Sequence, residues 1–179
     1  MSFKLEKQYR LPGYDYSRPG FYFITICTKD REEFFGEIIN NEMVLSKIGE
    51  IVQFYWLELV ESFENINLDE FIIMPNHVHM VIEIMEYNYC RNAPWRVLAE
   101  SNITIRPLQK NSISSIINHF KGNVKRYCNK NESNFFCWQS KFYDRIIHDE
   151  KALFKIRNYI KTNPEKWFRD RNNKEDIFM

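Results

Sequence analysis

Two histidines one residue apart, His77 and His79, lie in the run DEFIIMPNHVHMVIEI, Asp69 to Ile84. Side chains alternate across a strand, so both imidazoles point to one face while Val78, Met80, Ile82 and Ile84 point to the other. That alternation describes a strand with one side in a core and a more polar side carrying His77, His79 and Glu83, with Val81 between them. Two imidazoles on one face meet the first requirement of a divalent metal site, and the H-x-H spacing does so without distorting the backbone. The same spacing also suits a pair of surface or cross-strand histidines, so a site needs something more. Pro75 lacks an N–H and suits a turn, which predicts two strands, Phe71 to Met74 and His77 to Ile84, joined at Met74-Pro75-Asn76.

A second group with chemical capacity sits near the C-terminus. Asp149 caps a helix of roughly Glu150 to Thr162, and Asn163-Pro164 ends it, because the residue before a proline is pushed out of the α region. Leu153, Ile156 and Ile160 form the apolar stripe of this helix. Tyr159 falls at the border of the stripe and Asn163 one turn along the same edge, so a hydroxyl and a carboxamide oxygen share one space. A tyrosine there is either core-edge packing or a nucleophile. Lys121 and Lys155 are candidates for helping a phenol ionise or for holding a phosphate, and both are equally at home as solvated lysines.

The elements that must position these groups follow from the rest of the chain. Tyr9 to Gly20 is a turning lead-in. Phe21 to Thr28, FYFITICT, alternates aromatic and β-branched residues and is a strand, with Phe34 to Ile39 as its expected hairpin partner and Met43 to Leu45 as a short third piece. Ser46 caps a helix to about Ser62, with Ile48, Ile51, Val52, Tyr55 and Leu59 at helical spacing. Met85 to Asn111 breaks the periodicity, contains Pro94 and Pro107, and reads as an irregular insertion. Ser112 opens a helix whose stripe is Ile113, Ile116, Ile117, Phe120 and Val124 and whose remainder carries Lys121, Lys125, Arg126 and Lys130. That basic remainder is a solvated face or a place for backbone phosphates. Phe135 to His148 supplies another strand or an extended cover, and Glu165 to Met179 packs weakly or frays.

With 179 residues, 44% of them hydrophobic, the chain fits one domain with a substantial core. No run of eighteen apolar residues occurs and the N-terminus is polar, which excludes a membrane-spanning helix or secretory signal and makes the cytoplasm the expected compartment. The four cysteines show no C-x-x-C spacing, against a zinc ribbon, and the five glycines form no phosphate-cradling loop. Residues 1 to 90 carry 7 Lys and Arg against 15 Asp and Glu, whereas residues 91 to 179 carry 18 against 9. Such segregation either builds a basic face for nucleic acid or is consumed by pairing between the halves.

Five stretches together resemble a known family: YDYSRPGFYFITICTKDRE, LDEFIIMPNHVHMVI, HFKGNVKRYCN, FCWQSKFYDRIIHDE and YIKTNPEKWFRD. In this order, over nearly the whole chain, they are similar to the HUH single-tyrosine transposases, and within the IS200-like group to the REP-associated tyrosine transposase branch. The resemblance implies a single ferredoxin-like α+β domain, an antiparallel sheet with helices packed against it. It implies that His77 and His79 bind a divalent metal, Mg2+ or Mn2+, that Asn163 completes the metal site where insertion-sequence members have glutamine, and that Tyr159 is the nucleophile. The implied substrate is single-stranded or hairpin DNA, cleaved and rejoined through a 5′-phosphotyrosine, by a monomer or homodimer with no membrane role. Lys121, Lys125, Arg126 and Lys155 are then expected to contact DNA, and Trp138 and Trp167 are available to stack on bases, although packing in the core or between helix and sheet suits both tryptophans better. The competing expectations are a non-catalytic DNA- or RNA-binding module of the same fold, and a histidine-triad hydrolase, against which Val81 stands in the third histidine position.

Overall fold

Where β-branched and aromatic residues alternate, the chain builds one antiparallel sheet, and that sheet carries the histidines. The computed structural model describes residues 13–86, 112–131, 133 and 135–169. In chain order its elements are β1 (Gly20–Cys27), β2 (Gly36–Ile39), β3 (Glu42–Leu45), α1 (Lys47–Leu57), α2 (Leu59–Ser62), β4 (Ile66–Met74), β5 (His77–Ile84), α3 (Ile113–Lys130), β6 (Tyr143–Ile147) and α4 (Glu150–Lys161). Short 3-10 turns occupy Lys29–Arg31 and Pro164–Arg169. Apart from Met85 and Glu86, the insertion expected at Met85 to Asn111 lies outside the described residues.

The four-stranded sheet has the order β4-β5-β1-β6, with every neighbouring pair antiparallel. Counted along the chain, its strands stand in the order second, third, first, fourth, the ferredoxin-like arrangement of a βαββαβ unit. The fold is α+β. One sheet face, with Tyr22, Ile24, Ile26, Val78, Met80 and Ile82, packs against apolar side chains of α1 and α3. The opposite face, with Phe21, Phe23, Ile72 and Val81, is covered by Leu153, Ile156 and Ile160 of α4. The sheet is therefore sandwiched, and the face that carries His77 and His79 is the one under α4.

Helix starts follow their caps. The side chains of Ser46, Ser112 and Asp149 accept hydrogen bonds from the backbone N–H groups of Gly49, Ser115 and Ala152, each satisfying a donor that the first helical turn leaves unpaired. Two expectations need correction. Phe34 to Ile39 does not pair with β1, because both edges of β1 are occupied by β5 and β6. Instead β2 pairs with β3 across Asn40 and Asn41, both at positive φ (53° and 65°), the backbone of a tight two-residue hairpin that asparagine tolerates. The helix expected to run unbroken to Ser62 divides at Glu58 into α1 and α2. The segment after α4 does not fray at its start, since Trp167 is buried in the Pro164–Arg169 turn.

Candidate metal and nucleophile site

The alternation of β5 carries His77 and His79 to the α4 face, where both are fully buried. Their rings meet at the Nε2 atoms, 3.1 Å apart. Each far nitrogen is held from behind. His77 Nδ1 lies 3.0 Å from Asn76 Oδ1, and Asn76 Nδ2 donates to the carbonyl oxygen of Arg31 at 3.2 Å. That second bond fixes which end of the amide faces the ring: the oxygen does, so His77 Nδ1 must carry the proton and donate it. In the neutral ring His77 Nε2 is then a lone pair. His79 Nδ1 lies 2.8 Å from Thr25 Oγ1, a neighbour that the β1–β5 register places directly opposite it.

The tyrosine arrives from the other layer. Leu153, Ile156 and Ile160 seat α4 on the sheet, and this turns Tyr159 inward at the rim, 41% exposed, with its hydroxyl 3.1 Å from His79 Nε2. Phe23 packs against both rings, with centroids 5.3 Å from His79 and 6.2 Å from Tyr159. One turn further on, Asn163 is 1% exposed, and neither its Oδ1 nor its Nδ2 has a hydrogen-bond partner among the described residues. Trp167, another turn along, lies beside His77 with ring centroids 6.0 Å apart. Asn163 thus falls in the chain between a residue touching His79 and a residue touching His77.

The donor set fits a small divalent cation. Two nitrogens each about 2.1 Å from one ion, at right angles, stand about 3 Å apart, close to the separation of the two Nε2 atoms. With His77 Nε2 a lone pair, that short approach needs a proton on His79 Nε2 or a cation between the rings. A buried amide without partners is costly, and a cation accepts its oxygen. Among the described residues no cluster of three His, Cys, Asp or Glu side chains occurs, and the buried neutral oxygen of Asn163 is the candidate for a third protein donor.

The other expected residues lie elsewhere. Lys121 donates to the carbonyls of Gln139 (2.7 Å) and Ser140 (3.1 Å), and burial pushes its pKa down. Lys125 donates to Phe136 O and lies 3.5 Å from Cys137 Sγ. These two ammonium groups tie α3 to the strap before β6, on the sheet face away from Tyr159. Arg126 is exposed and donates to Asn123 Oδ1 at 2.8 Å. Trp138 packs among Phe35, Phe120 and Phe136 and lines a cleft of about 540 Å3 with Thr28, Lys29, Asp30, Arg31, Gln139 and Ser140. Lys155 alone of the expected DNA contacts shares an edge with Tyr159, one turn before it on α4 and exposed.

Comparison with known proteins adds to this geometry. No family model matches the sequence. An uncharacterized protein of Haemophilus influenzae is 42% identical over 165 residues, covering 90% of this chain and 89% of its own length. A second Haemophilus influenzae protein, named "Putative REP-associated tyrosine transposase", is 25% identical over 158 residues, covering 85% of this chain and 74% of its own. The chain is thus similar in sequence to a protein named as a REP-associated tyrosine transposase. A solved REP-associated tyrosine transposase bound to a REP hairpin shares the fold, with a TM-score of 0.59 at 16% identity over 90% of this chain and 74% of the other. No helix of the described residues is long and apolar enough to cross a membrane.

The sequence did not point to several residues of the candidate site. Thr25 reaches His79 through strand register, which a linear pattern does not reveal, and Trp167, expected to stack or pack, lies beside His77 through a terminal turn. Asn76 was visible beside His77, but its use depends on the Arg31 carbonyl. Asp69, Glu70, Arg157 and Lys161, which join α4 to β4, are far apart in the chain and carry no local signal.

Proposed function

We propose that this chain is a metal-dependent transposase that cleaves and rejoins single-stranded or hairpin DNA through a 5′-phosphotyrosine on Tyr159. The observation that carries this reading is the approach of the Tyr159 hydroxyl to His79 Nε2, beside His77 Nε2, with the buried Asn163 amide one helical turn along, unpaired among the described residues. His77, His79 and Asn163 would hold the divalent ion, Mg2+ or Mn2+, which supplies a Lewis acid for the scissile phosphate and favours the phenolate. Asn76 and Thr25 keep the two rings aimed, as outer partners of ligating histidines do.

The phenolic oxygen forms a bond to phosphorus as the bond from phosphorus to the 3′-oxygen breaks. The phenol loses its proton and the departing 3′-oxygen ends as a hydroxyl, so the ester count is unchanged. A later 3′-hydroxyl attacks the phosphotyrosine, restores the phenol and seals DNA without a nucleotide cofactor. The 41% exposure of Tyr159 leaves room for the phosphate. Lys155 is positioned to meet a phosphate flanking the scissile one. The solved relative with its REP hairpin makes a hairpin the first substrate to try.

The test is incubation with a labelled hairpin oligonucleotide and Mn2+, followed by denaturing electrophoresis. A covalent adduct is expected, lost in Tyr159→Phe and in the presence of a chelator. An adduct that survives in Tyr159→Phe overturns the nucleophile. Tight hairpin binding with no adduct from the native chain favours the binding module instead.

A further inference from the structure

Opposite Val81, strand β4 holds two residues against one: Leu68 pairs with Ile82 and Phe71 with Met80, so Asp69 and Glu70 form a β-bulge. Bulges re-aim side chains, and here both carboxylates meet α4. Asp69, 10% exposed, accepts from Arg157 Nε at 2.9 and 3.2 Å and from the guanidinium NH2 group, a two-pronged pair. Glu70 takes the Lys161 ammonium at 2.8 Å, one helical turn further on. The Asp69 carboxylate pushes the Arg157 pKa up, as a committed partner does. Arg157 and Lys161 stand two residues before and two after Tyr159. These pairs also join the acid-rich first half of the chain to its base-rich second half.

We infer that Asp69 and Arg157, supported by Glu70 and Lys161, are positioning residues that hold the Tyr159 hydroxyl at the histidine pair. The inference rests on Tyr159 being the nucleophile. Leu153, Ile156 and Ile160 decide which stripe of α4 faces the sheet, but apolar contact is non-directional and tolerates sliding along the strands. A two-pronged guanidinium–carboxylate pair is directional and fixes both height and rotation. It does so where these matter, since a 1 Å misplacement of a reacting group costs on the order of 100-fold in rate.

The experiment measures kcat and KM for adduct formation on the hairpin in Asp69→Asn, Arg157→Gln, the double variant and the exchanged pair Asp69→Arg with Arg157→Asp, with thermal unfolding of each. Positioning predicts a fall in kcat of about 10- to 100-fold in both single variants, KM within about 2-fold, a double variant no worse than either single, and partial recovery on exchange. Had Arg157 instead served as a DNA contact, Arg157→Gln would raise KM while Asp69→Asn left it equal or lower, and the inference falls. If the variants lose only stability, with kcat per folded molecule unchanged, the pair is merely structural and the inference is again wrong. Tyr159→Phe in the same assay keeps the two ideas apart: an adduct there defeats the nucleophile, whereas an inert Tyr159→Phe beside single variants of native kcat defeats the positioning role alone.

Discussion

Asn163 offers a sharp conflict between stability and function. Its amide is 1% exposed and both polar atoms lack partners among the described residues, and an unsatisfied buried polar group costs about 1–3 kcal/mol. Leucine has nearly the same branched shape without the polar atoms, so Asn163→Leu removes that cost against a repacking loss below about 1.5 kcal/mol. The net expectation in chelator is a gain of about 1 kcal/mol, worth roughly 2–4 °C in a domain of this size. Added Mn2+ reverses the order. A ligand at one hundred times its Kd stabilises by about 2.7 kcal/mol, a gain the native chain realises and the variant, missing one donor, largely does not. Thermal unfolding with chelator and then with a Mn2+ series reads both effects. If Asn163→Leu melts lower than the native chain in chelator, the amide is satisfied in solution and its assignment as a waiting ligand is refuted.

Other outcomes follow from the same geometry. Asn76→Ala frees the His77 ring from the bond that fixes its tautomer and should weaken Mn2+ binding by about 10- to 100-fold in titration calorimetry; unchanged affinity would remove Asn76 from the site. Gly49→Ala places a Cβ 2.2 Å from the Phe35 carbonyl oxygen, which also accepts from Ser46 N at 2.8 Å, so a loss of about 1–3 kcal/mol in denaturant unfolding is expected. Lys121, with its folded pKa lowered from 10.5 by burial, binds fewer protons folded than unfolded between the lowered value and 10.5. Stability from this group must therefore rise with pH through that window. The native chain should gain on Lys121→Met as pH climbs towards 10.5, and a gap that stays constant would show that burial does not govern this ammonium.

Some of this architecture was legible because it is local. The two-residue alternation of β5 reported which side chains share a face, and Ser46, Ser112, Asp149 and Asn163-Pro164 marked where helices begin or end. What could not be read was pairing. β1 looks like half of a hairpin from its own residues, and only the three-dimensional sheet shows both its edges taken. Asn40-Asn41 carried a usable turn signal, in asparagine's tolerance of positive φ, that the strand pattern around it obscured. Periodicity put Tyr159 at the edge of a stripe, but its distance from His79 depends on a bulge and an ion pair whose members are 88 residues apart. The opposed charges of the two halves were ambiguous for the same reason: Asp69 with Arg157 and Glu70 with Lys161 neutralise part of the imbalance internally, while Lys155 remains turned outward.

The βαββαβ unit would be complete without α4, which covers the sheet face that the other helices leave bare. The imidazoles thus belong to the four-stranded sheet, and the phenol to the helix that covers it. Under the proposed function, a chain that lost this terminal layer would keep both histidines on their strand yet have nothing with which to attack phosphorus. On that same reading, passage from a strand-cleaving enzyme to a nucleic-acid binder would require one deletion rather than a redesign.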